Sequence, residues 1–308
     1  NMTYSQGGLI QATDYNTFAQ GGAAVSHNTA NINTVWGVGS GNKGYGQSTT
    51  LSTVTGGSDT VTATQWATLI ARIDSILSHQ AGSGSGLTQP SAGNTITFLS
   101  TLSTSVTNGF NNRLNFASNG SDVAAAGSSA TAINTGSQSI TRTATFASAD
   151  QARYFFNAGG KLIWNLSASN TSGNAKGTAW VALVANLGSI IIGQATNSRT
   201  GSGGTVNSSN TALGYWNAGT SNASILRVYG ANGVGDYNSN DIQVFIKTNG
   251  VQGSNGDVGQ IVTIVLTFTD TAADNFDDSI NFSVTSTLTV RPPSTSNLSN
   301  VWGGVTTG

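Results

Sequence analysis

The spacing of apolar residues changes period near residue 117, and this switch constrains the fold more than any single motif does. Upstream, apolar positions recur at steps of three and four. Tyr15, Phe18, Gly22, Val25, Thr29, Ile32 and Trp36 would lie along one helix stripe, with Asp14 or Thr13 placed to cap it. The Gly21-Gly22 pair costs about 1 kcal/mol per glycine relative to alanine, so two short helices or one kinked helix are expected. Thr62-Ala63-Thr64-Gln65 fits a capping box, and Trp66, Leu69, Ile70, Ile73, Ile76 and Leu77 follow on one face until Gly82. The stretch Ala81-Gly82-Ser83-Gly84-Ser85-Gly86 reads as a flexible link to a third helix bearing Leu99, Leu102, Val106, Phe110 and Leu114.

Downstream, short β-rich runs are separated by Gly, Asn and Ser: Ile140 to Phe146, Lys161 to Ser167, Ser189 to Gly193, Ser224 to Tyr229, Asp241 to Thr248, Val258 to Thr269 and Ser279 to Arg291. One helix is expected among them between Asn174 and Leu187, carrying Trp180, Leu183, Val184 and Leu187, with Gly188 as its stop. Val262, Ile264, Leu266 and Phe268 alternate with Ile261, Thr263, Val265 and Thr267. Both sets are apolar or β-branched, which puts this strand inside a sandwich and not at an edge. The expected fold is mainly β with α: a helical docking and oligomerisation region over 1–115, then an antiparallel, jelly-roll-like β-sandwich over 116–308 with one embedded helix. Asn119-Gly120-Ser121 and Gly127-Ser128-Ser129 mark the join.

Composition narrows the function. Charged residues are 7% of the 308, against about 25% in ordinary soluble domains, and none of the acids is a glutamate. A net charge of -1 with scattered Lys and Arg offers no field to attract a polyanion, so nucleic acid is not an expected partner. With no cysteine, disulfides and thiolate chemistry are excluded. No apolar run approaches the roughly 18 residues of a membrane span, and Asn1-Met2-Thr3-Tyr4 lacks the basic and apolar segments of a signal peptide, so no membrane insertion is expected. A hydrophobic share of 37% with 6 Trp, 7 Tyr and 11 Phe argues for a packed chain over a disordered one.

Motifs for chemistry are sparse. Gly39-Ser40-Gly41-Asn42-Lys43-Gly44 matches a dinucleotide fingerprint as letters only, because a helix precedes it and no helix opens after it. His27 and His79 have no metal-ligand spacing, and no Gly-x-Ser-x-Gly elbow has the expected context. Asp270, Asp274, Asp277 and Asp278 form the one dense acidic group; oxygen ligands of this kind suit Ca²⁺, while the plainer expectation is a solvated hairpin tip. Tyr215 and Trp216, set among Gly and Asn, could stack on a sugar ring, although core packing is the commoner fate of such pairs. The stripe residues Tyr15, Phe18 and Trp36, the face Trp66, Ile70, Ile73 and Leu77, and Trp302 are the candidate docking set. Trp302 enters because Asn297-Leu298-Ser299-Asn300-Val301-Trp302-Gly303 echoes Asn31-Ile32-Asn33-Thr34-Val35-Trp36-Gly37. The apolar surface of the Tyr15–Trp36 stripe and the face with Trp66, Ile70, Ile73 and Leu77 points to a homo-oligomer. No cofactor is implied.

Tyr4-Ser5-Gln6-Gly7-Gly8-Leu9-Ile10, Asp14-Tyr15-Asn16, Val35-Trp36-Gly37, Gly44-Tyr45-Gly46-Gln47, Arg153-Tyr154-Phe155-Phe156-Asn157-Ala158-Gly159-Gly160-Lys161 and Phe276-Asp277-Asp278-Ser279 together resemble virion structural proteins of tailed bacteriophages, especially marine and cyanobacterial ones. The resemblance implies a non-enzymatic tail, neck or baseplate appendage of fibre or adhesin type, located in the virion, with other virion proteins as partners and, by analogy with phage fibres, a trimer; a host surface glycan is the partner that Tyr215 and Trp216 would suit. It supplies no catalytic residue. The alternatives are a capsid decoration protein and a carbohydrate-acting depolymerase; the latter would carry clustered acids within a long β-helical repeat, which this sequence lacks.

Overall fold

A computed structural model describes residues 10–20, 30–37, 39–57, 59–96, 99–123, 129–133, 138–171, 173–194, 197–209, 215–230, 235–251, 258–271, 280 and 282–308. The chain forms two compact units. Unit 1 comprises Asn1–Gly120, Arg153–Gly159 and Pro293–Trp302; unit 2 comprises Ser121–Ala152, Gly160–Pro292 and Gly303–Gly308. The first crossing falls at the Asn119-Gly120-Ser121 stretch, and two later segments rejoin the helical unit.

Unit 1 holds α1 (Ala12–Ala19), α2 (Ile32–Trp36), α3 (Ala63–Ala81) and α4 (Leu99–Asn111). The expected stripe is thus carried by two short helices, while its Gly22, Val25 and Thr29 lie outside the described residues. Local caps set the starts. The Asp14 carboxylate accepts the Gln11 N–H at 3.0 Å, and the Asn31 side chain accepts the Thr34 N–H at 2.9 Å. Thr62 and Gln65 cap α3 reciprocally, at 2.8 and 3.1 Å. Gly82 ends α3 with φ +81°, a conformation that favours glycine. Gly109 lets α4 approach α3, since a Cβ there would come within 2.9 Å of Ile73.

Unit 2 contains two antiparallel sheets. The first orders β1 (Ser129–Ile133), β10 (Phe282–Arg291), β3 (Lys161–Asn170), β4 (Ile190–Ile192) and β5 (Asn197–Arg199). The second orders β11 (Thr306–Thr307), β2 (Gln138–Thr145), β9 (Ile261–Thr269), β8 (Asp241–Thr248), β7 (Ala223–Tyr229) and β6 (Thr205–Ser209). Early and late strands pair with each other, β1 with β10 and β2 with β9, in a jelly-roll-like wrapping. The remaining run β6 to β9 is a simple meander.

As its two-sided pattern predicts, β9 is an interior strand, flanked by β2 and β8. Its Val262, Ile264, Leu266 and Phe268 are fully buried. The embedded helix α6 (Ala175–Leu187) starts at the Asn174 cap and stops at Gly188. It touches β3 and β10 of the first sheet and β7 and β8 of the second. Trp180 adds ring contacts to both sheets, with centroids 5.5 Å from Phe268 on β9 and 6.4 Å from Phe282 on β10. A polar bridge also joins the sheets: Arg142 on β2 donates to the Oγ and carbonyl of Ser286 on β10, each at 2.9 Å from Nη2.

One helix departs from the sequence reading. Ala149–Asn157 forms α5, whose residues from Arg153 onward belong to unit 1. Tyr154, Phe155 and Phe156 are consecutive and all buried, so they produce no three-four stripe that would announce a helix.

Candidate functional site

The candidate docking set lies inside the chain. Trp66 and Ile70 are 0% exposed, Tyr15, Phe18, Ile73 and Trp302 are buried, Trp36 is 7% exposed and Leu77 is half-buried. Within unit 1 the Trp66 ring meets Tyr15 and Phe18, each with centroids 6.2 Å apart. The expectation that these side chains meet a neighbouring protein is therefore corrected: the described stripe residues and the α3 face are buried within the chain, and their apolar surface no longer points to a homo-oligomer.

The glycine loop at residues 39–44 is also structural. A phosphate cradle turns N–H groups toward its ligand, whereas here three carbonyls converge on one donor. Asn157 Nδ2 donates to the carbonyls of Lys43 at 2.9 Å, Gly44 at 3.0 Å and Gly41 at 3.3 Å. Gly44 has φ +89°, and a Cβ there would strike the Gly37 carbonyl at 2.6 Å. Directly after the loop, Gln47 links the two echoed segments. Its N–H donates to the Trp36 carbonyl at 2.9 Å, and its side-chain amide pairs with both peptide groups of Ser299, at 2.8 and 3.0 Å. Sequence shows the echo; only the fold shows that one glutamine holds both copies.

Two buried ionisable groups sit nearby in unit 1. His79 is 2% exposed, and its Nε2 lies 2.9 Å from the Ala158 carbonyl, which it can only serve as donor. Burial holds its pKa below the ordinary value, partly offset by that hydrogen bond. The Tyr45 hydroxyl donates to the Arg113 carbonyl at 2.6 Å and accepts from Gln80 at 2.9 Å, and burial pushes the phenol well above its usual range. A neutral imidazole and a neutral phenol in such surroundings are packing groups with satisfied bonds. His27 lies outside the described residues.

In unit 2, Tyr215 is 0% exposed and its hydroxyl donates to the Gly259 carbonyl at 2.7 Å. It cannot stack on a sugar in solvent, and this corrects its assignment to glycan contact. A one-turn 3-10 helix over Tyr215–Asn217 turns the ring inward; the side chain of Trp216 is outside the described set. Asp270 is corrected too. It is not a solvated tip residue, because Lys176 Nζ lies 2.5 Å from its Oδ2 and the two side chains are only 8% and 9% exposed. Asp274, Asp277 and Asp278 lie outside the described residues. Among the described residues no group of three or more potential metal ligands converges, and no helix is long and apolar enough to cross a membrane.

The outward face of β10 and its neighbour β3 carries a row of hydroxyls and amides. On β10, Ser283, Thr285, Thr287 and Thr289 point away from the buried set Phe282, Val284, Ser286 and Leu288. They form cross-strand pairs: Ser283 with Ser169 at 2.9 Å, and Thr289 with Asn165 at 3.0 Å. Ser189 extends the row by donating to Asn165 at 3.0 Å, and Ser139 with Thr267 repeats the arrangement on the second sheet at 3.2 Å. Each such pair contributes roughly 0.2–1 kcal/mol. Comparison of the chain with protein-family models, with curated proteins and with solved structures finds no match in any of the three.

Proposed function

We propose that this chain is a non-enzymatic structural subunit of a tailed-phage particle, a fibre- or adhesin-like appendage of the tail, neck or baseplate. The observation that carries the reading is the uncharged hydroxyl and amide ladder on the outward sheet faces. A surface with so few charges has little self-repulsion to keep free copies apart, and suits a subunit held permanently among neighbours. The sequence resemblance to virion structural proteins supports the same role. Assembly would use copies of this chain, in a trimer by analogy with phage fibres, together with other virion proteins. With the described stripe residues and the α3 face buried, this reading assigns those contacts to the outward sheet faces.

The test is recovery of the chain in density-banded particles by mass spectrometry, followed by antibody labelling to place it on the particle. Label on a tail, neck or baseplate appendage is expected. A chain found only in the unassembled fraction refutes the virion reading, and label spread over the capsid surface would make it a decoration protein instead.

A further inference from the structure

We infer that Lys176 and Asp270 condense into an intramolecular isopeptide bond that ties helix α6 to the end of strand β9. Lys176 Nζ lies 2.5 Å from Asp270 Oδ2, and both side chains are more than nine-tenths buried. Among the described ion pairs this is the one that presents a primary amine to a carboxylate in a dry setting. Arg227–Asp241 and Arg291–Asp122 use guanidinium groups that are 36% and 38% exposed.

The surroundings follow from the chain positions of the two groups. Lys176 precedes Trp180 by one helical turn and shares its face of α6, and Asp270 directly follows β9, two residues after Phe268. One turn along α6 from Lys176, Trp180 packs against Phe268 and Phe282, and Phe268 lies two residues before Asp270. Trp180 is 1% and Phe268 0% exposed, so the chain segments that carry the amine and the acid lead directly into dry core.

Charge adds a second argument. Lys176 stands in the first turn of α6, where the helix dipole opposes a cation. A buried ion pair regains by attraction only part of what desolvating both charges costs. An amide between the same two side chains removes both charges and keeps the contact.

The step balances without an oxidant or a cofactor. A proton passes from the ammonium to the carboxylate across the contact, leaving a neutral amine and a carboxylic acid. The Nζ lone pair attacks Asp270 Cγ, the C–N bond forms, and the Cγ–OH bond breaks. The departing hydroxyl takes a proton from Nζ and leaves as water. Fixed proximity of this kind reaches effective molarities on the order of 10⁵ M or more in well-oriented intramolecular reactions, and water exclusion favours the dehydrated product.

Intact-mass spectrometry of the purified, soluble protein after denaturation tests the bond directly. The expected mass is one water below that of the expressed polypeptide, and tandem spectra of a digest should show a branched peptide joining Lys176 to Asp270. Lys176→Met should restore the full polypeptide mass. A wild-type mass equal to that of the polypeptide overturns the proposal, and so does a one-water deficit that persists in Lys176→Met. The wild-type reading does not depend on whether the variant folds, and neither outcome bears on where the protein sits in a particle.

Discussion

Replacing Trp66 with alanine separates a core residue from a docking residue. The indole is 0% exposed, and its ring contacts in unit 1 are with Tyr15 and Phe18. A buried Trp removes about 150–250 Å² from water, which at about 25 cal/mol/Å² corresponds to roughly 4–6 kcal/mol as an upper bound. Mutational series that remove large aromatic side chains give about 3–5 kcal/mol, including the cavity left behind. We therefore expect Trp66→Ala to lower unfolding stability by about 3–5 kcal/mol, with the α3 capping box intact. The assay is urea unfolding followed by far-UV circular dichroism, repeated over a tenfold range of protein concentration. Leu77→Ala is the internal comparison: on the same helix but half-buried, it should cost clearly less. A Trp66→Ala loss below about 1 kcal/mol, or one that grows with dilution, would mean that the side chain is stabilised by association. The argument from internal burial would then fail.

Further predictions concern single contacts. Burial depresses the folded-state pKa of His79, so the unfolded chain binds the proton more readily. His79's contribution is complete above the unfolded value near 6.5 and falls by up to about 1.4 kcal/mol per pH unit below it, until the folded pKa is reached. Urea midpoints measured from pH 7.5 to 5 should show this slope and His79→Gln should flatten it; an unchanged slope in the variant assigns the effect elsewhere. Gly46 has φ +71°, and a Cβ there would overlap the Tyr154 ring. Gly46→Ala should therefore cost about 1–2 kcal/mol in backbone strain and a further ~1–3 in overpacking, read as a lowered urea midpoint. Gln47→Ala leaves both peptide groups of Ser299 without their partner. It should cost about 1–3 kcal/mol and raise amide exchange over residues 293–302; unchanged exchange there would show that Leu298 and Trp302 hold the segment alone.

Where local chemistry decides, the sequence is readable. The capping box at Thr62 and Gln65, the Asn174 cap with its Gly188 stop, and the Asp241–Thr248 strand follow from neighbours in the chain. Periodicity also reveals which face of α3 is apolar, but not what covers it, because Tyr15 and Phe18 approach from a distant part of the chain. The short polar strands Asn197–Arg199 and Thr205–Ser209 have no propensity signal of their own and owe their extension to pairing with β4 and β7. By sequence Asp270 belongs with Asp274, Asp277 and Asp278 in one acidic stretch; its partner Lys176 lies on a helix that no spacing rule connects to it. In sequence the ladder on β10 is no more than Ser and Thr at alternate positions, and its cross-strand partners follow only from the register.

The hold of Gln47 on Ser299 spans 252 positions of sequence. During translation the α1–α4 helices leave the ribosome long before Leu298 and Trp302, the buried residues that residues 293–302 bring back to unit 1. At roughly 5–20 residues per second, the helical unit waits on the order of ten seconds or more for its last part, with a core site open to whatever is nearby. A nascent chain that terminates before residue 293 keeps that site permanently uncovered, and chaperones and proteases that read exposed apolar surface can remove it. Synthesis of residues 293–302 is thereby coupled to sealing of the helical unit, so chains cut short before that segment are exposed to quality control.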